Sequence, residues 1–210
     1  MCFNKEVSII TYIIGMVGCI ILIMNKKENF IPHAIFFIWV IHMQLIEFFL
    51  WINHNCGIVN KNISTVGIVI NNLEPIILWL SIIVFSNKIL PYWIHIVMGI
   101  FIIATIYITT ISIKERNCTI KTPDSSPHLQ WKWNEGKNKT YYYLFFLVVC
   151  VLLSIFGLNY GVHMGIVFLV SFITSYLIYG TTHSVGAMWC FIAAFMPLFL
   201  PYICMIGINR

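Results

Sequence analysis

Two acidic residues stand where charge is expensive. Glu47 and Glu74 lie inside long apolar runs, and a charged side chain in a bilayer core costs about 2.5–3.5 kcal/mol on insertion scales. The runs hold no Lys or Arg to neutralise them, which leaves protonation or an external partner. Gln44, Glu47 and Trp51 recur at spacings of three and four, which puts them on one helical face. Asn71, Asn72 and Glu74 form a second polar group, followed by Pro75, which loosens the local hydrogen-bond ladder. A third group opens the last apolar run: His183 and Ser184, then Trp189 and Cys190. Cys2 becomes an N-terminal thiol if the initiator Met is removed.

Three kinds of chemistry fit these residues. Titrating carboxylates suit proton-coupled binding or transport of a small solute or lipid headgroup, with Glu47, Glu74, Gln44, Trp51, Asn72, Trp189, Cys190 and Cys2 as candidate binding residues. Cys2 or Cys190 beside a carboxylate suits an intramembrane lipid- or thiol-modifying enzyme. A layer that only fixes helix register, or holds a partner protein, is the third reading, since polar side chains in bundles commonly bond neighbouring helices. No residue is assigned a catalytic role. The zinc-binding histidine set of membrane lipid hydrolases and a GxSxG elbow are both missing from the sequence. The seven cysteines show no CxxC pair and no zinc-type spacing. Neither a metal nor a cofactor is expected.

The elements that position these residues follow from composition. Of 210 residues, 60% are hydrophobic and 9% charged, against about a quarter charged in a soluble domain, so the apolar surface must face lipid. Seven runs reach the roughly 17–25 residues that a helix needs to cross the hydrocarbon core, over residues 8–24, 30–53, 65–86, 90–113, 141–158, 162–180 and 183–207. Their continuity, without ten-residue alternation, favours helices over a barrel. The expectation is an all-α polytopic protein, a seven-transmembrane-helix bundle integral to a membrane, with residues 1–210 forming one unit. Residues 114–140 form the one long extramembrane loop, whose His128 to Trp133 stretch is amphipathic and aromatic and is expected at the membrane interface. The net charge of +5 comes without a basic, aromatic-interleaved stripe, so no nucleic acid is implied. The bilayer is the expected partner, with basic loops near anionic headgroups.

With seven spans, the N-terminus shares a face with the Cys56 loop and the long loop. Counted along the spans, Glu47, Glu74, Trp189 and Cys190 fall in the third of the membrane nearest that face. Its sidedness is contested. Eight Lys and Arg lie there against four opposite, which by the positive-inside rule makes it cytoplasmic. The three glycosylation sequons beginning at Asn62, Asn117 and Asn138, together with Cys2, Cys56 and Cys118, lie on the same face and argue the other way. Both orientations stay open, as does the oxidation state of Cys56 and Cys118.

The Met1-Cys2-Phe3 opening, the Met43-Gln44-Leu45-Ile46-Glu47 run leading to Trp51, and Trp189-Cys190-Phe191 together resemble a family of small multi-pass proteins of large DNA viruses and bacteria. Bacterial members look similar at the start, in a His-Gln-Leu-Ile-Glu type segment and in a late Trp-Cys. Met43 stands here in place of that His. The resemblance implies no activity, and it picks out Cys2, Gln44, Glu47, Trp51, Trp189 and Cys190.

Overall fold

A computed structural model of the chain describes residues 4–25, 29–115, 117–121, 128–132, 137–179 and 185–208. Among them are seven helices, each long and apolar enough to cross a membrane. These are α1 (Lys5–Met24), α2 (Ile31–Ile52), α3 (Ile58–Phe85), α4 (Tyr92–Glu115), α5 (Lys137–Gly157), α6 (Gly161–Tyr179) and α7 (Val185–Ile208). The chain is an all-α seven-helix bundle of a multi-pass membrane protein. Each helix packs on the next in sequence, α7 returns to α1, and the cross-contacts α2 on α7 and α3 on α5 fill the middle. Large residues such as Ile10, Ile100, Ile103 and Leu177 stay exposed on the outer faces, as a lipid-facing surface requires.

Local chemistry sets the helix ends. Asn4 caps α1 by accepting a hydrogen bond from the Val7 amide at 2.8 Å, which satisfies one of the orphan donors of the first turn. Pro32 sits in the first turn of α2, where its missing N–H costs nothing. At the tight α5–α6 connection Tyr160 takes a positive φ of 56°, and a Cβ on Gly161 would collide with the Ser154 carbonyl oxygen. On α1, Ser8, Thr11, Gly15, Gly18 and Cys19 make a stripe of small buried residues. A Cβ on Gly15 would lie 2.9 Å from the Ala194 carbonyl oxygen of α7 and 2.8 Å from Ile41 of α2. Close backbone approach of this kind replaces the hydrophobic drive that is absent between helices in lipid.

Two expectations are revised. The third span begins at Ile58 rather than at residue 65, because Asn60 and Ser64, read as loop residues, are buried against the long loop. That loop is the second revision. It forms two antiparallel strands, β1 (Thr119–Lys121) and β2 (Leu129–Trp131), with Thr119 opposite Trp131 and Lys121 opposite Leu129. Residues 128–132 of the amphipathic segment pack into the end of the bundle. A strand alternates its side chains between two faces, so Leu129 and Trp131 point the same way, and both are buried, touching α2 and α7. The turn-rich residues 122–127, together with Lys26, Lys27, Cys2, His183 and Ser184, lie outside the described residues.

Candidate functional site

The polar groups form two layers rather than one. The upper layer, nearest the N-terminal face, centres on Glu47. Gln44 and Glu47 are fully buried on α2, between Met43 and Leu50 of a cluster that also holds Ile68, Ala187, Cys190, Leu129 and Trp131. Trp51, half-buried at the edge of this cluster, keeps its ring N–H without a hydrogen-bond partner among the described residues.

Gly67 of α3 packs against Ile46 and Met43 of α2, which fixes the level of Glu47 on α3. Glu74 is seven residues further along the same helix, and at 1.5 Å per residue it lies about 10 Å deeper. The expectation that Glu47 and Glu74 share one layer is therefore corrected. It rested on starting the third span at residue 65, and the true start at Ile58 places Glu74 just past the middle of α3. Trp189 and Cys190 divide likewise. Cys190 belongs to the upper cluster, whereas the Trp189 ring turns away into Phe146, Phe168 and Phe172 and donates to Ser171 Oγ at 3.0 Å. On α6, Ser175 is buried but bonded to its own helix, and Thr174 is exposed on the outer surface.

The lower layer is a hydrogen-bonded network across three helices. The Tyr143 hydroxyl on α5 donates to Asn72 Oδ1 at 3.0 Å and receives Asn71 Nδ2 at 3.4 Å. Asn72 Nδ2 donates to Thr109 Oγ1 on α4 at 2.9 Å. Close by, Tyr142 and Thr105 share a 3.0 Å hydroxyl contact. Glu74 lies within electrostatic reach of Tyr142, Tyr143 and Cys150. It is fully buried, and among the described residues both its carboxylate oxygens are without hydrogen-bond partners and neither ion pair includes it. Pro75 adds to this environment, because a proline has no N–H to return to the carbonyl four residues back, and that carbonyl belongs to Asn71.

Tyr143 was not singled out from the sequence, and it joins the two layers: it packs against both apolar clusters and reaches Cys190 as well as Glu74 electrostatically. Its signal was a Tyr run at the head of the fifth span, which resembles an interfacial aromatic belt. Two histidines of the spans are bonded, His33 to the Asn159 carbonyl at 3.1 Å and His95 to the Trp79 ring N–H at 3.3 Å. A cavity of about 340 Å3 opens between α4 and α5, lined by Ala104, Tyr107, Ile108, Tyr141, Tyr142 and Phe145. It faces outward, and neither carboxylate lines it.

Fold and polar layers together define a multi-pass seven-helix membrane protein with an acid enclosed in its core. Compared with known families, curated proteins and solved structures, the chain matches none of them.

Proposed function

We propose that the bundle binds or transports a small polar solute or lipid headgroup, with proton exchange at Glu74 coupled to it. One observation carries the reading: a carboxyl group at the centre of the bundle, wholly enclosed, with neither oxygen bonded among the described residues. A carboxylate left in that state is among the most costly arrangements a membrane interior can hold, and a role in exchanging a proton accounts for keeping it. The neighbouring amides and hydroxyls of Asn71, Asn72, Tyr143 and Thr109 supply the donors and acceptors a polar solute needs. Glu47, Gln44 and Trp51 lie between this centre and the N-terminal face, along the solute's route. The resemblance to the viral and bacterial multi-pass family is part of the proposal, and it groups the upper-layer residues with Cys2.

Proteoliposomes holding a pH-sensitive dye, challenged with a panel of small amines, amino acids and headgroup analogues, test this. A coupled solute changes the internal pH with the native chain, and Glu74→Gln removes the response. A response of equal size in Glu74→Gln rejects the reading. The satisfied Tyr143–Asn72–Thr109 network favours one other reading, a layer that only holds helices in register; there, Glu74→Gln alters stability alone.

A further inference from the structure

Cys56, in the turn before α3, is disulfide-bonded to Cys118, the residue before β1, with Cα atoms 5.6 Å apart. The strand pair held by this bond is inserted into the end of the bundle. Leu129 and Trp131 are 0% and 1% exposed and share one cluster with Met43, Leu50, Ile68, Ala187 and Cys190, the apolar shell of the Glu47 layer. Polar bonds seat the other strand. Asn60 accepts from the Thr119 amide at 3.0 Å and donates to the Thr119 carbonyl at 2.8 Å, while the Ser64 and Thr119 hydroxyls meet at 2.9 Å. His128 packs edge-on against Tyr179 at the end of α6. Four helices are thus closed over by one short strand pair, and a single covalent bond fixes its leading end.

We propose that the β1–β2 pair is a plug over the Glu47 layer, locked by Cys56–Cys118, and that the N-terminal face lies on the oxidising, lumenal or extracytoplasmic side of the membrane. A structural disulfide forms and persists in an oxidising compartment, whereas cytosolic thiols are held reduced. The same bond shows that the Cys56 loop and the long loop share a face, as the two helices between them, α3 and α4, require. The charge count favours the opposite orientation, with eight basic residues on this face. That rule describes a bias in insertion, and part of the count is engaged locally: Lys139 is 7% exposed in a 2.6 Å pair with Glu115. Asn62, in a glycosylation sequon and exposed on the same face, agrees with the disulfide. The lock and the sidedness stand apart from the proton-coupled reading, and they add that access to the Glu47 layer is from the oxidising side, after the plug moves.

The test uses the full chain with Cys2, Cys19, Cys150 and Cys204 changed to Ser, inserted into sealed microsomes and probed from outside with a bulky membrane-impermeant maleimide. Intact microsomes give no adduct, even after treatment with a permeant reductant. Opening the membrane with digitonin without reductant also gives none, which shows in addition that the substituted chain keeps Cys190 buried. Digitonin with reductant gives three adducts, at Cys56, Cys118 and Cys190. Adducts in intact microsomes place this face in the cytosol and overturn the proposal. Adducts at Cys56 and Cys118 before reduction overturn the lock, and two adducts after reduction, with Cys190 still protected, overturn the plug. Cys56→Ser combined with Cys118→Ser checks the plug without reductant, because Cys190 alone then labels in digitonin. If the Ser-substituted background fails to fold, the native chain with adducts mapped by mass spectrometry gives the same readout.

Discussion

The Tyr143 hydroxyl satisfies both asparagines of the lower layer. Its removal in Tyr143→Phe leaves the Asn72 side-chain oxygen one donor short while keeping the ring in place. Hydrogen bonds between membrane helices have measured values near 0.6 kcal/mol and reach about 1.7 kcal/mol. Tyr143→Phe is expected to destabilise the bundle within that range in a denaturing-detergent titration. Glu74→Gln should behave differently. It keeps the shape, removes the need to carry a charge or a proton, and leaves an uncharged amide where both oxygens were unbonded, so stability in the same titration should be unchanged or raised. A large loss would mean that Glu74 is held by interactions the site account lacks. At this scale the sequence was informative about burial and silent about partners. An acid in an apolar run announces its cost, so Glu47 and Glu74 stood out. Tyr143, Thr109 and Ser171 did not, because hydroxyl residues are ordinary in spans and only the packing shows which of them meet.

Asn60 is the hinge between helix and plug: fully buried, it bonds both the amide and the carbonyl of Thr119 and also the Asn53 carbonyl. Asn60→Ala strands these buried backbone groups at about 1–3 kcal/mol, and its expected signature is faster proteolysis within residues 119–131 with the helical content kept. At the α1–α7 contact, Gly15→Ala forces a methyl group against the Ala194 carbonyl and Ile41. Overpacking of this kind costs about 1–3 kcal/mol, measurable as a lower denaturing-detergent midpoint, whereas alanine at Gly99, which has open space around it, should leave the midpoint unchanged. Hydropathy located every helix, because lipid exposure demands continuous apolar length. It misplaced the start of α3, since Asn60 and Ser64 are polar for the sake of a strand nearly sixty residues away. The strand pair was illegible for the same reason: its alternation spans three residues per strand, too short to separate from an interfacial segment.

Across the whole molecule, the seven helices surround a core whose polar content grades from an upper layer under the plug to a lower layer about 10 Å deeper. The early start of α3 turned one expected layer into two, which Tyr143 joins by packing against both apolar clusters. Counting spans put Cys56 and Cys118 on one face, but with the two 62 residues apart and no spacing signature the sequence left their bond open. The proposed function depends most on Glu74 exchanging a proton inside the folded bundle. Infrared difference spectra of proteoliposomes across a pH jump observe this directly. The native chain should show loss of a protonated-carboxyl stretch as pH rises, and that band should be absent from Glu74→Gln and present in Glu47→Gln. A band that persists unchanged in Glu74→Gln, or a native spectrum with no carboxyl change at any pH at which the bundle stays folded, would contradict the account.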